Sequence, residues 1–397
     1  MKWIALIILV AGMMLVAGCT TPTPATTPVA TAGTPAVTTP SAQVIPDLTG
    51  NWSGTSTGYM YRSGYEIFND TLTMQVTSQE GRLFTGILTF PMKDGTVTTK
   101  AVAGVLSDDG TTIQEIEYPS GFSDGALLPG GGIELIFRDE ADPSTICIDL
   151  LRRSDAAPAA ASPALPAMPD MIGSWNGTSA GYIEQSGYQV SRSAITMDVT
   201  KADGRFFSGT VSFVYHGTLV EKEFAGIFSR DGTSFTTIEY PDGFSNGIVI
   251  SADEVQLIFR DTNDPSRISI DTFVRSGASP TPAGTTAVRL TGTWLGTSRG
   301  YMEKGSGYGI VNGVLTMNIT SHEDRLFTGE LAYVTNGTTL TKLFAGVIGR
   351  DGMTLAVVEF PEGFDDGMIV SDKEIRLVFR DDGTPSTIAI DTLRRVE

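Results

Sequence analysis

One motif occurs three times along this chain of 397 residues: Trp52-Ser-Gly-Thr-Ser-Thr-Gly-Tyr59, Trp175-Asn-Gly-Thr-Ser-Ala-Gly-Tyr182 and Trp294-Leu-Gly-Thr-Ser-Arg-Gly-Tyr301. Each occurrence leads to a Ser-Gly-Tyr ending at Tyr65, Tyr188 or Tyr308, then to Phe-x-Gly at Phe84, Phe207 or Phe327. Each closes with Phe-Arg-Asp and a final stretch ending near Arg153, Arg275 or Arg395. Repetition over such distances sets the architecture before any local feature does. The copies occupy residues 48–153, 172–275 and 290–397. Between them lie Ala-, Pro- and Ser-rich linkers, 154–171 and 276–289. Solenoids pack unit directly on unit and leave no room for spacers of this kind. The expectation is therefore independent domains on a string.

Within a copy the apolar residues recur with period two. Leu72, Met74 and Val76 alternate with Thr73, Gln75 and Thr77, and Ile133, Leu135 and Phe137 alternate with Glu134, Ile136 and Arg138. Such runs, bounded by Gly, Asp, Asn and Pro, read as strands. Asp109-Gly110, Asp231-Gly232 and Asp351-Gly352 carry hairpin-turn chemistry. No stretch from residue 20 onward has a helical period. The expected fold class is all-β, three tandem eight-stranded antiparallel meanders. Closure into a barrel removes the exposed edges of a meander, and a two-sheet sandwich is the alternative.

The pairing of Gly50–Trp52, Gly173–Trp175 and Gly292–Trp294 with Arg153, Arg275 and Arg395 resembles the calycin superfamily of lipocalin- and avidin-like barrels. The resemblance implies that each tryptophan closes one barrel end and that each arginine packs across it. An arginine over an indole face contributes about 0.5 to 2 kcal/mol. It further implies a barrel that takes a small apolar or aromatic ligand.

The N-terminal segment places the chain. Lys2 is followed by an apolar run from Trp3 to Ala17 and by Val16-Ala17-Gly18-Cys19. A charged start, a short apolar core and small residues before a cleavage point describe a secretory signal. The run is short for a membrane span of about 20 residues. Its end resembles the prokaryotic lipobox, which implies cleavage and lipidation at Cys19. Residues 1–19 thus read as a lipoprotein signal peptide, and residues 20–47, rich in Thr and Pro, as a disordered stalk. The expected location is the extracellular face of the cell membrane, held by the lipid. Formal net charge is −18, which argues against nucleic acid as a partner. Asn51, Asn69, Asn176, Asn318 and Asn336 begin Asn-x-Ser/Thr sequons and offer glycan acceptor sites.

Candidate chemistry is sparse. The chain has two histidines, His216 and His322, at non-equivalent positions, and two cysteines. With Cys19 assigned to lipid, Cys147 has no disulfide partner, and Ser269 and Ala389 replace it in the other copies. No Cys/His cluster has metal-ligand spacing, no nucleophile triad recurs, and no cofactor is expected. The recurrent carboxylates Glu117/Glu239/Glu359, Asp139/Asp261/Asp381 and Asp149/Asp271/Asp391 read as partners of Arg138, Arg260 and Arg380 and as turn caps. The aromatic pairs Tyr59/Tyr65, Tyr182/Tyr188 and Tyr301/Tyr308 are the ligand-binding candidates, placed at barrel mouths where their rings could stack on a ligand. The expected function is a non-catalytic binding protein. Two further readings stand beside it: a surface module acting through its loops on a protein or glycan, and an enzyme.

Overall fold

The computed structural model describes residues 45–91, 95–141, 143–155, 165–215, 217–263, 266–281, 288–305, 307–335 and 337–396. All regular structure among them is strand. The first repeat comprises β1 (Gly50–Tyr61), β2 (Tyr65–Glu80), β3 (Leu83–Pro91), β4 (Val97–Leu106), β5 (Thr112–Tyr118), β6 (Phe122–Leu128), β7 (Gly132–Asp139) and β8 (Thr145–Arg153). The second comprises β9 (Gly173–Glu184), β10 (Tyr188–Asp203), β11 (Phe206–Tyr215), β12 (Thr218–Phe228), β13 (Ser234–Tyr240), β14 (Phe244–Ser251), β15 (Glu254–Asp261) and β16 (Arg267–Arg275). The third comprises β17 (Gly292–Lys304), β18 (Gly307–Glu323), β19 (Leu326–Thr335), β20 (Thr338–Ile348), β21 (Thr354–Phe360), β22 (Phe364–Ser371), β23 (Glu374–Asp381) and β24 (Thr387–Arg395). Each set of eight closes into an antiparallel barrel, and the sandwich alternative falls away.

Closure depends on the first strand of each repeat, which pairs on both sides. Trp52 faces Met74 of β2 and Arg153 of β8, and Trp175 and Trp294 have the same two neighbours in their own barrels. Gly54 and Gly58 let β1 coil tightly against β8, since a Cβ at either would overlap a β8 carbonyl, of Leu150 or Ile146. The second and third strands slip register at Val76/Ser78, Val199/Lys201 and Ile319/Ser321, the same place in every repeat. Bulges of this kind bend a strand and help it round a corner.

One end of each barrel is apolar and plugged. Trp52, Trp175 and Trp294 are buried, and each indole N–H donates to the carbonyl of Leu48, Met171 or Leu290 at 2.9 Å. The arginine guanidinia lie over the indoles, with Arg153, Arg275 and Arg395 at 4.7, 4.3 and 5.2 Å from the ring centroids. In the third repeat His322 accepts the Leu290 N–H on Nδ1 at 2.9 Å, which gives this histidine a structural task at the same plug. His216 lies outside the described residues.

The barrels do not hang separately on a string. The outer wall of β1, β2 and β8 in repeat one (Tyr59, Tyr65, Ile146) packs on β12 and β13 of repeat two (Ala225, Ile227, Ile238). The same wall of repeat two (Tyr182, Ile268, Ile270) packs on β20 and β21 of repeat three (Ala345, Val347, Val358). Repeat three (Tyr301, Ile388) completes the circuit on β4 and β5 of repeat one (Ala103, Val105, Ile116). These are head-to-tail interfaces whose rotation closes after three units. Glu134 of repeat one strengthens one of them, paired at 2.8 Å with the buried Arg205 of repeat two. The expectation of independent domains is thus corrected. Linkers between units do not prevent association when the barrel walls carry apolar residues outside as well as inside.

At the centre of the ring Phe122, Phe244 and Phe364 form a triangle with centroids 4.8, 4.9 and 5.0 Å apart. The fully buried Arg138, Arg260 and Arg380 lie over these rings. Arg138 pairs with Asp124 of its own repeat and donates to Asn246 of the next at 2.7 Å. Arg380 pairs with Asp366 of its own repeat and with Asp124 of repeat one, and Arg260 pairs with Asp366. Asn246 stands where the other repeats carry aspartate, and Nη1 of Arg260 is left without a partner. Asn246→Asp should complete the alternation of charge. A hydrogen bond to a charged group contributes about 1.5 to 3 kcal/mol, so the thermal midpoint of the full chain should rise. A lowered midpoint would contradict this account of the centre.

Candidate functional site

Strand alternation divides the residues of each barrel between its interior and its outer wall. Residues in register with Trp52 point inward, so Ser56 of β1 and Cys147 and Asp149 of β8 share the interior with Leu151. The even positions of β4 and the odd positions of β5 do likewise, bringing Lys100, Glu115 and Glu117 inside. Each barrel therefore has an apolar half around its tryptophan and a polar half beyond it. In the polar half a lysine meets the recurrent glutamate: Lys100–Glu117 at 3.2 Å, Lys222–Glu239 at 3.9 Å and Lys342–Glu359 at 3.1 Å. The same lysines lie over Phe137, Phe259 and Phe379. The glutamates thus pair with lysines inside the barrels, whereas the arginines expected to hold them are engaged at the ring centre with Asp124 and Asp366.

Burial dominates the protonation of these carboxyls. It pushes Glu117 and Glu239 up to about 7 from an ordinary 4.5. It pushes Asp149 and Asp271 up to about 6 and Asp391 to about 7, from an ordinary 3.8. The unfolded chain releases these protons near pH 4 while the folded chain holds them. Their contribution to stability is therefore present below the unfolded values and is lost as pH rises through about 4 to 7. The urea midpoint should be higher at about pH 5 than at about pH 8. Asp109 works in the opposite sense outside this window, since the Ser107 and Thr111 hydroxyls hold it at about 2. A midpoint that rises from pH 5 to pH 8 would contradict a buried, protonated interior.

Cys147 belongs to the same interior. It accepts from the Ser56 hydroxyl at 3.2 Å, and burial pushes its thiol well above the ordinary range, which makes it a poor nucleophile. Cys19, proposed for lipidation, lies outside the described residues, as do the signal segment, most of the stalk and Asn336. Asn51, Asn69, Asn176 and Asn318 are exposed.

The six tyrosines expected at barrel mouths lie elsewhere. Counted from the inward tryptophans, Tyr59, Tyr182 and Tyr301 face outward from their strands and are buried between barrels. Tyr65 also faces outward and reaches the Ile238 carbonyl of repeat two at 3.4 Å, and Tyr188 reaches Val358 of repeat three at 3.5 Å. Tyr308 hydrogen-bonds Ser386 at 2.8 Å, as Tyr65 and Tyr188 do Ser144 and Ser266. They are ring adhesive, and Tyr182 also borders a cavity inside the second barrel.

That cavity, about 320 Å³, opens into the second barrel. Ile195, Val211, Phe213 and Phe259 supply apolar walls, and Glu239, Asp271, Ser179 and Ser269 supply a polar floor. The Ser269 hydroxyl donates to Asp271 at 2.8 Å. In the interior of repeat two, Thr237 stands where repeat one has Glu115, and Ser245 where repeat three has Asp365. At the mouth Arg267 reaches from β16 to the Tyr215 ring of β11, 4.9 Å from its centroid. The equivalent positions are Thr145 and Thr387, too short to cross. Arg267 was not among the sequence candidates. Its signal was a difference between copies at a position where the other two agree.

No protein-family model matches the sequence, and no relative appears among curated proteins. Among solved structures, one similar chain is a protein of unknown function from the DUF3598 family of Nostoc punctiforme. It is 14% identical over 57% of this chain and 96% of its own, with a TM-score of 0.28. Transferrin binding protein B from serogroup B Neisseria meningitidis is 11% identical over 87% of this chain and 76% of its own, with a TM-score of 0.21. A variant of the Haemophilus parasuis transferrin binding protein B is 11% identical over 89% and 77%, at 0.20. Likenesses this remote leave function to be argued from the cavity.

Proposed function

We propose that this chain is a lipid-anchored, extracellular, non-catalytic binding protein of calycin-like barrels, whose ligand site is the mouth of the second barrel. The observation that carries the reading is the cavity of about 320 Å³ with apolar walls and a few convergent polar groups. Ligand sites characteristically have this make-up, at volumes of about 300 to 1,000 Å³. The signal-like N-terminus with Cys19 supports display at the membrane surface. In this reading the first and third barrels hold the second in place, and their plugged tryptophan ends and ring interfaces serve rigidity.

The test is native mass spectrometry of the full chain purified from its own source, beside a Ser269→Leu variant that fills the floor. A single reproducible small-molecule adduct, lost on unfolding and absent from the variant, supports the reading. A bare mass at both would favour the surface-module alternative. That alternative draws support from exposed apolar side chains at the hairpin lips, among them Val190, Val214 and Leu219 in repeat two and Val314 and Leu340 in repeat three.

A further inference from the structure

The polar groups of the second barrel are arranged in two tiers, and their order constrains what can lie between them. Arg267, Ser269 and Asp271 alternate along one strand and face inward together. At about 3.3 Å of rise per residue, the first and last Cα atoms lie about 13 Å apart along the strand. Arg267 is therefore at the mouth and Asp271 at the floor, and Ile195, Val211 and Phe213 line the same cavity with apolar side chains.

We infer that the second barrel takes a small molecule with an ammonium group at one end, an anionic group at the other and an apolar segment between them, the ammonium on Asp271 and Glu239 and the anion on Arg267. This rests on the reading of the cavity as the ligand site. Three observations carry it.

The floor holds more acid than base. Glu239 and Asp271 are buried there, and Asp242 adjoins them, against the single ammonium of Lys222, while Asp261 stands in register with Arg267. An ionised carboxyl in an apolar enclosure needs a counter-charge, and an incoming ammonium supplies it. The mouth holds a donor with capacity to spare. Nε of Arg267 is shielded from water and has no hydrogen-bond partner, while its guanidinium is held in place over Tyr215. A planar guanidinium fixed in this way is well suited to a carboxylate or similar oxyanion. Finally, the arrangement is peculiar to the second repeat: the first and third barrels carry threonine, Thr145 and Thr387, where it carries Arg267.

The experiment uses isothermal titration of the full chain with 8-aminooctanoate, octanoate, octylammonium and 1-octanol. The zwitterion is expected to bind about tenfold or more tighter than either singly charged probe, consistent with charge-assisted bonds at both ends. Arg267→Thr, the residue the other repeats use, should lower its affinity about tenfold and leave octylammonium unaffected or improved. Asp271→Asn should weaken octylammonium and the zwitterion together and spare octanoate. Equal binding of all four probes would overturn the two-ended recognition and leave the cavity as a ligand site. Failure of all four to bind a chain that carries a native adduct would overturn it in the same way. Failure to bind together with a bare native mass would overturn both readings.

Discussion

Asp366→Asn should destabilise the full chain by about 3 to 5 kcal/mol, the cost of removing one partner from a buried ion pair. Asp366 accepts from Arg260 of the second repeat on one oxygen and from Arg380 of its own repeat on the other. Both arginines are buried over the central phenylalanines and have no route to water. Burial alone would raise this carboxyl, but the surrounding guanidinia outweigh it and hold Asp366 below the ordinary carboxylate range. The native centre has Asp124 and Asp366 against three arginines, a surplus of one positive charge. The variant raises the surplus to two with no change of shape. The loss should appear as a lowered urea midpoint and as easier separation of the second and third barrels, read by protease cleavage in the linker between them. A stability equal to the parent would show that the arginines find other partners. Because Asn246→Asp adjusts the same surplus in the opposite direction, the two substitutions should move the midpoint oppositely, and their combination should fall between.

The second large effect lies at the barrel end. Trp175→Ala should cost about 3 to 5 kcal/mol, the range for truncating a buried aromatic residue. Trp175 is buried beneath Arg275, its indole N–H satisfied by Met171. Its removal opens a cavity, strips the face on which Arg275 rests and releases the segment that plugs the barrel. Set against a typical domain stability of about 5 to 15 kcal/mol, the second barrel would be left marginal. The ring interfaces use the opposite side of the same strand, at Tyr182, and remain intact. The expected outcome is therefore early loss of protection from hydrogen exchange in β9 to β16, with the other barrels following later. Uniform loss across all three barrels would mean that the ring, and not the barrel, is the cooperative unit.

Much of the barrel was legible in the sequence. Period-two alternation in Leu72–Val76 and Ile133–Phe137 identifies a meander of strands, and the tryptophan and arginine framing each copy favour a barrel with a plugged end over the sandwich alternative. The ring was not read, although its trace is present. Ala101-Val-Ala-Gly-Val-Leu106 and Ile146-Cys-Ile148 are apolar on both faces, the pattern of a strand covered inside and outside. Such runs can be taken for strong core strands unless one asks what covers the second face. The tyrosines misled for a related reason: a hydroxyl on a large ring suits a wet mouth and a buried seam equally well. Glu239 and Asp271 recur in sequence as acids, but spacing along the chain cannot tell a barrel interior from a turn. Arg267 leaves no repeated signal, because it is the position at which one copy departs from the other two.

That departure follows from the covalent linkage of the ring. In a trimer of identical chains every substitution arrives in triplicate, so a change that empties one barrel empties all of them, and a charge lost at the axis is lost three times over. Fusing the units end to end breaks that bookkeeping. The second unit carries Asn246 at the axis, Thr262 where its neighbours hold Glu140 and Asp382 against the next barrel's backbone, and Arg267 at its mouth. At these positions the first and third units agree in charge type and the second departs, a freedom that covalent linkage gives to a single unit of the ring.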